Sequence, residues 1–105
     1  MISLTSATFK SLITNSPIPV LVEFTSPTCV ACKALLPSLH AMAAKYSGRV
    51  TFATIDAEAH PSIARQFGVR SLPTCLTFKS GKLHSQLIGA CSIQALEQSI
   101  IAAIS

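Results

Sequence analysis

Near-continuous apolar runs alternate along this chain with stretches in which apolar residues recur every three or four positions. Met1 to Leu4 predicts a short strand. Phe9, Leu12 and Ile13 follow at helical spacing, with Thr5 or Ser6 placed to cap the helix and Asn15-Ser16-Pro17 to end it. Pro19 to Thr25 is rich in β-branched and apolar residues without alternation, the pattern of a strand covered on both faces. Leu35, Leu36, Leu39, Met42 and Ala43 then share one face of a helix that runs to Tyr46-Ser47-Gly48. Val50 to Asp56 predicts a second inner strand, which makes a strand-helix-strand unit with a parallel crossover. A short helix from Pro61 to Phe67, stopped by Gly68, comes next.

Thr74 to Lys79 and Leu83 to Ile88 flank Ser80-Gly81-Lys82, a segment with the composition and length of a hairpin loop. The last segment, capped by Ser92, carries Ile93, Leu96, Ile100, Ile101 and Ile104 on one side and Glu97 and Gln98 on the other, as an amphipathic helix does. Strands alternating with helices and ending in a hairpin plus a helix describe an α/β fold. The central mixed sheet has four to five strands, with helices on both faces.

The 105 residues suffice for one domain with a single core, residues 1–105, and are too few for two of ordinary size. Half of them are hydrophobic and 11% are charged, outside the regime of disordered chains. The net charge of +4 is spread from Lys10 to Lys82, without a basic run or aromatic interleaving, so nucleic acid is not an expected partner. Stretches such as Ile100 to Ile104 fall far short of the ~20 apolar residues of a membrane span. Met1 to Thr5 lacks the basic and apolar regions of a secretory leader, so a cytoplasmic location is expected. Structural disulfides are rare there, which turns attention to what else the four cysteines do.

Only Cys29 and Cys32 are closely spaced, and they open the second helix. Cβ atoms three residues apart on a helix lie about 5–6 Å from one another, beyond the ~3.5–4.5 Å that a disulfide requires. Closure therefore needs Cys29 at the helix start, where the backbone adjusts. Unpaired amides and the positive end of the helix dipole there favour a thiolate, which makes Cys29 the expected nucleophile. Cys32, one turn deeper, would attack the resulting mixed disulfide and release the reduced substrate. A Cys-x-x-Cys pair beside a βαβ pattern is a redox signature, against which stand half of a metal site and a pair of inert core thiols.

Cys75 and Cys91 are far apart in sequence, and His40, His60 and His84 occur singly, so no ligand set of zinc-finger spacing exists and neither metal nor cofactor is expected. Cys75 and Cys91 read as core-filling residues, with a regulatory thiol near the site as the alternative. Glu23 lies in an otherwise apolar strand, where an unpaired carboxylate is costly and its pKa rises; an edge-exposed Glu is the other reading.

Over essentially its whole length, from Ile2 to about Ala103, the chain resembles the thioredoxins. Val22-Glu23-Phe24-Thr25-Ser26-Pro27-Thr28-Cys29-Val30-Ala31-Cys32-Lys33 is similar to the family's acidic strand followed by Trp-Cys-Gly-Pro-Cys-Lys. Pro37 matches the proline that kinks the family's helix. Ser71-Leu72-Pro73-Thr74 resembles the cis-proline segment, and Gly89-Ala90 the glycine-containing loop. The resemblance implies a thioredoxin-like fold and a groove for an extended substrate lined by Thr28, Leu72, Pro73, Gly89 and Ala90. It gives Glu23 the role of the buried acid that helps deprotonate Cys32. It also implies disulfide-containing protein substrates, a thioredoxin-reductase-like electron donor and a monomer.

Four features depart from the family pattern. Val30-Ala31 replaces Gly-Pro, Thr28 stands where the family has Trp, and Thr25 replaces a second aromatic. Phe52 occupies the region where thioredoxins carry a lysine near the acid. The departures suggest a specialised member with its own partner set. Two other functions remain open: a non-catalytic module that holds a partner on the surface around Thr28, Leu72 and Ala90, and a dimer whose four thiolates share an iron–sulfur cluster.

Overall fold

In the computed structural model, which describes all of residues 1–105, nine elements follow one another. They are β1 (Ile2–Leu4), α1 (Phe9–Asn15), β2 (Val20–Thr25), α2 (Val30–Lys45), β3 (Thr51–Asp56), α3 (Pro61–Gln66), β4 (Thr74–Lys79), β5 (Lys82–Ile88) and α4 (Ile93–Ile104). The strands form one mixed sheet in the order β1-β3-β2-β4-β5. β2 runs parallel to β3 and antiparallel to β4, and β1 pairs parallel with β3.

The unalternating apolar run of β2 follows from its place in the middle of this sheet. Val20, Val22 and Phe24 face a core shared with Phe9 and Ile13 of α1, Ile63 and Ala64 of α3, and Leu76 and Phe78 of β4. Leu21 faces the opposite core, with Leu35, Leu39 and Met42 of α2, Phe52 of β3, Cys75 of β4, and Leu96 and Ile100 of α4. Helices cover both faces, as expected of this α/β architecture.

Several boundaries move for local reasons. Thr5 Oγ1 accepts the Ala7 amide at 3.2 Å, but the first turn is tight, with the Thr8 amide on the Thr5 carbonyl, so regular helix begins only at Phe9. Lys79 pairs with Lys82, leaving a two-residue turn, Ser80-Gly81, in place of the expected three-residue loop. Both turn residues have positive φ, 54° and 78°, which matches the right-handed strand twist and places glycine where it costs least.

Ser92 caps α4, its Oγ accepting the Ala95 amide at 3.1 Å. The buried stripe of that helix is Leu96, Ile100 and Ala103, whereas Ile93 and Ile101 are exposed; Ile101 lies about 100° around the helix from Ile100. Glu97 is not a free solvent-facing residue either. It accepts from the Tyr46 hydroxyl and pairs with Lys45, both at 2.5 Å, and so ties the end of α2 to α4.

Phe9 meets Phe24, Phe67 and Phe78 with ring centroids 6.3, 5.5 and 5.7 Å away, and Phe67 meets Phe78 at 5.3 Å. Phe9→Ala removes the hub of this cluster and is expected to lower unfolding stability by about 3–5 kcal/mol in urea denaturation. The alkylation rate of reduced Cys29 should be unchanged, because the cluster lies on the face away from α2.

Candidate active site

Beyond β2 the chain turns through Ser26-Pro27-Thr28 and enters α2 at Cys29, the N-cap residue. Its backbone is extended (φ −82°, ψ 105°) and its Sγ accepts the Cys32 amide at 3.1 Å. Sulfur thereby satisfies one of the amides that a helix start leaves without a partner. The Cys29 amide donates to the carbonyl of the buried Ser26 at 3.3 Å, which fixes the turn.

Cys29 and Cys32 are joined as a disulfide, their Cα atoms 5.2 Å apart. The non-helical dihedrals of Cys29 achieve this closeness, since they release it from regular helical spacing. The two sulfurs differ sharply in access. Cys29 is half-buried at the mouth of the turn, and Cys32 is only 1% exposed. The first turn of α2 holds no acidic residue, so nothing opposes the helix dipole's preference for a thiolate at Cys29.

Sheet topology brings the other predicted residues to the same end. Phe24 of β2 pairs with Thr74 of β4, and Thr74 pairs with Ile88 of β5, so the residues before β4 and after β5 flank the turn that follows β2. The Leu72–Pro73 peptide is cis and Pro73 is fully buried. The Pro73 carbonyl accepts the Gly89 amide at 2.7 Å, and the Ser71 carbonyl accepts the Thr74 hydroxyl at 2.6 Å. The backbone amide and carbonyl of Leu72 have no partner within the chain. Gly89 has φ +80°, a conformation that a side chain would strain. Thr28 and Ala90 are exposed, while Leu72 is half-buried and packs partly against the α1/α3 core.

Glu23 is 1% exposed, which removes the edge-exposed alternative. It alternates with Val22 and Phe24 onto the face covered by α2 and α4, and its Oε2 has no hydrogen-bond partner. Burial alone pushes its pKa up to about 7. The β3 residue in register with it is Thr54; Phe52, which the sequence pointed to, pairs with Leu21 one step further along the same face. No lysine stands at either position.

Across β4, Cys75 lies in register with Glu23 and is buried, and Cys91 packs against the same cluster from the segment after β5. Burial, and then the Glu23 charge, raises the proton affinity of both thiols. Sequence reasoning treated each cysteine singly and missed that Cys75 lies across from Glu23 and that Cys91 packs on the same face. The available signal was the alternation on β4 that puts Cys75 and Thr77 on the face opposite Leu76 and Phe78. No group of three or more His, Cys, Asp or Glu side chains is arranged to hold a metal ion. No helix is long and apolar enough to cross a membrane.

The family model described as Thioredoxin matches residues 1–102. Thioredoxin 1 of Nostoc sp. is 33% identical over 96 residues, covering 91% of this chain and 90% of that protein. Thioredoxin 1 of Synechococcus elongatus is 39% identical over 88 residues, 84% of this chain and 82% of that one. The thioredoxin of Haemophilus influenzae is 34% identical over 90 residues, 86% and 84% of the two chains. By this likeness along almost its whole length, the chain belongs to the thioredoxin family of thiol–disulfide oxidoreductases.

Proposed function

We propose that this enzyme reduces or exchanges protein disulfides through a Cys29/Cys32 dithiol–disulfide cycle. The observation that carries this reading is the unequal access of two sulfurs held at one helix start. In the reduced state the Cys29 thiolate attacks a substrate disulfide, one substrate sulfur leaves as a thiolate, and a mixed disulfide forms. Cys32 then gives up its proton and attacks Cys29 Sγ, which releases the second substrate thiol and closes the Cys29–Cys32 bond. The substrate is reduced by two electrons and the enzyme is oxidised by two. A reductase of the thioredoxin-reductase kind returns them. The chain acts as a monomer, with a cytoplasmic location as the simplest setting.

The substrate's extended backbone lies against Leu72, whose unpaired amide and carbonyl are free to receive it, with Pro73 beneath. Thr28 forms one wall of this groove and Gly89-Ala90 the other. Glu23 serves as proton acceptor for Cys32, because a carboxyl with its pKa near 7 holds or releases a proton at neutral pH.

Cys29→Ser should abolish reduction of a protein disulfide such as that of insulin. Cys32→Ser should accumulate a mixed disulfide through Cys29, read as an adduct by intact-mass spectrometry. Retention of full reducing activity by Cys29→Ser would refute the cycle, whereas partner binding and biological activity left intact by Cys29→Ser would place the function in a binding surface.

The same Glu23 gives stability a definite pH dependence. The folded chain holds this proton up to about pH 7, whereas the unfolded chain releases it near 4.5. Between those values the folded state binds more protons than the unfolded state, so the stabilising contribution is complete below the lower value. It is lost as pH rises through the upper one, by about 3 kcal/mol in all. Glu23→Gln in the oxidised protein should match the wild type near the lower value and exceed its urea-denaturation stability above the upper one. Parallel stability curves for the two proteins across this window would refute the assignment.

A further inference from the structure

The disulfide cycle leaves two thiols unused. Cys75 and Cys91 are both free and both pack into the core on the α2/α4 face, where the buried Glu23 carboxyl lacks a hydrogen-bond partner at Oε2. Cys75 is fixed in β4 directly across from Glu23. Cys91 lies outside helix and strand, between Gly89, tied to Pro73, and Ser92, the cap of α4. One thiol is therefore rigid and the other sits on a segment without regular pairing, partly open to solvent.

We propose that Cys75 and Cys91 form a second redox site, a thiol pair that closes to an internal disulfide by exchange with a small-molecule disulfide. Cys91, the accessible member, reacts first. Its sulfur attacks one sulfur of the small disulfide, whose S–S bond breaks and releases one small thiol. Cys75 then attacks Cys91 Sγ, and the second half of the small disulfide leaves as a thiolate that takes up the Cys75 proton. The pair loses two electrons and the small disulfide gains them, so the step balances without another reagent.

The surroundings decide the character of this bond. Burial and the Glu23 charge raise the proton affinity of both sulfurs, so the reduced pair reacts slowly. The same property makes either sulfur a poor leaving group once the bond has formed, so the disulfide resists reduction. Closure needs the Cβ atoms at about 3.5–4.5 Å, which draws the Cys91 segment toward β4. Because the Gly89 amide is held by the Pro73 carbonyl, that movement tightens the edge of the groove; this consequence alone rests on the groove reading given above.

The test uses the wild-type protein with its Cys29–Cys32 disulfide formed, so that Cys75 and Cys91 are the only free thiols. It is incubated with oxidised glutathione, alkylated after denaturation, and mapped by non-reducing peptide mass spectrometry. The expected result is loss of both alkylatable thiols together and a crosslinked peptide pair joining Cys75 to Cys91. Cys75→Ser should instead stop at a stable glutathione adduct on Cys91. The proposal is overturned if wild-type Cys91 keeps that adduct while Cys75 stays free, if neither thiol reacts, or if Cys91 is found joined to Cys29 or Cys32. A crosslink is read by mass alone, so the result stands apart from whether the groove binds substrate.

Discussion

β2 is the constraint on which the rest of the molecule depends. It is hydrogen-bonded along both edges and buried on both faces, so every residue from Val20 to Phe24 is fixed in direction by the pleat. The chain leaves the C-terminal end of this central strand where α2 must begin, which sets Cys29 at a helix start. Its pairing with β4 brings the cis-proline segment alongside, and the pairing of β4 with β5 adds Gly89. A register slip of one residue would turn Glu23 toward the phenylalanine cluster and Phe24 toward α2. The aromatic packing of Phe24 against Phe9 therefore also keeps the carboxylate on the side of the cysteines.

Most of this architecture was legible in the sequence because the signals are local. Period and length separate the unbroken run of β2 from the helical spacing of α2, and the Ser92 cap and the Gly68 stop need only their neighbours. The errors came where two elements must be known together. The loop between β4 and β5 is one residue shorter than composition suggests, since Lys82 reads as polar loop yet pairs with Lys79. Ile93 and Ile101 are apolar at helical spacing, but the sheet reaches only the stripe through Leu96, Ile100 and Ala103. For the site, Cys29 and Cys32 announce themselves by spacing. The neighbour of Glu23 does not, because the parallel register that selects Thr54 over Phe52 is a property of two strands.

That register also sharpens the electrostatic character of the site. A buried carboxylate beside a lysine would ionise readily; one between Thr54 and Cys75 has no such help, and desolvation alone governs it. The molecule thus keeps a group that weakens the fold as pH rises. That conflict with stability is confined to one carboxyl, whose ionisation falls near neutrality. Burial, and then the Glu23 charge, raises the proton affinity of Cys75 and Cys91 too, which slows both thiols.

The Val30-Ala31 dipeptide acts on the same balance from the other side. Val30 is 80% exposed and Ala31 is exposed, so neither side chain alters the packing around the sulfurs, and the effect runs through the backbone. Where the family has proline, Ala31 keeps an amide hydrogen in the first turn, among the donors that have no partner further back in the helix. Together with the Cys32 amide already on Cys29 Sγ, it adds to the positive field that a thiolate meets there.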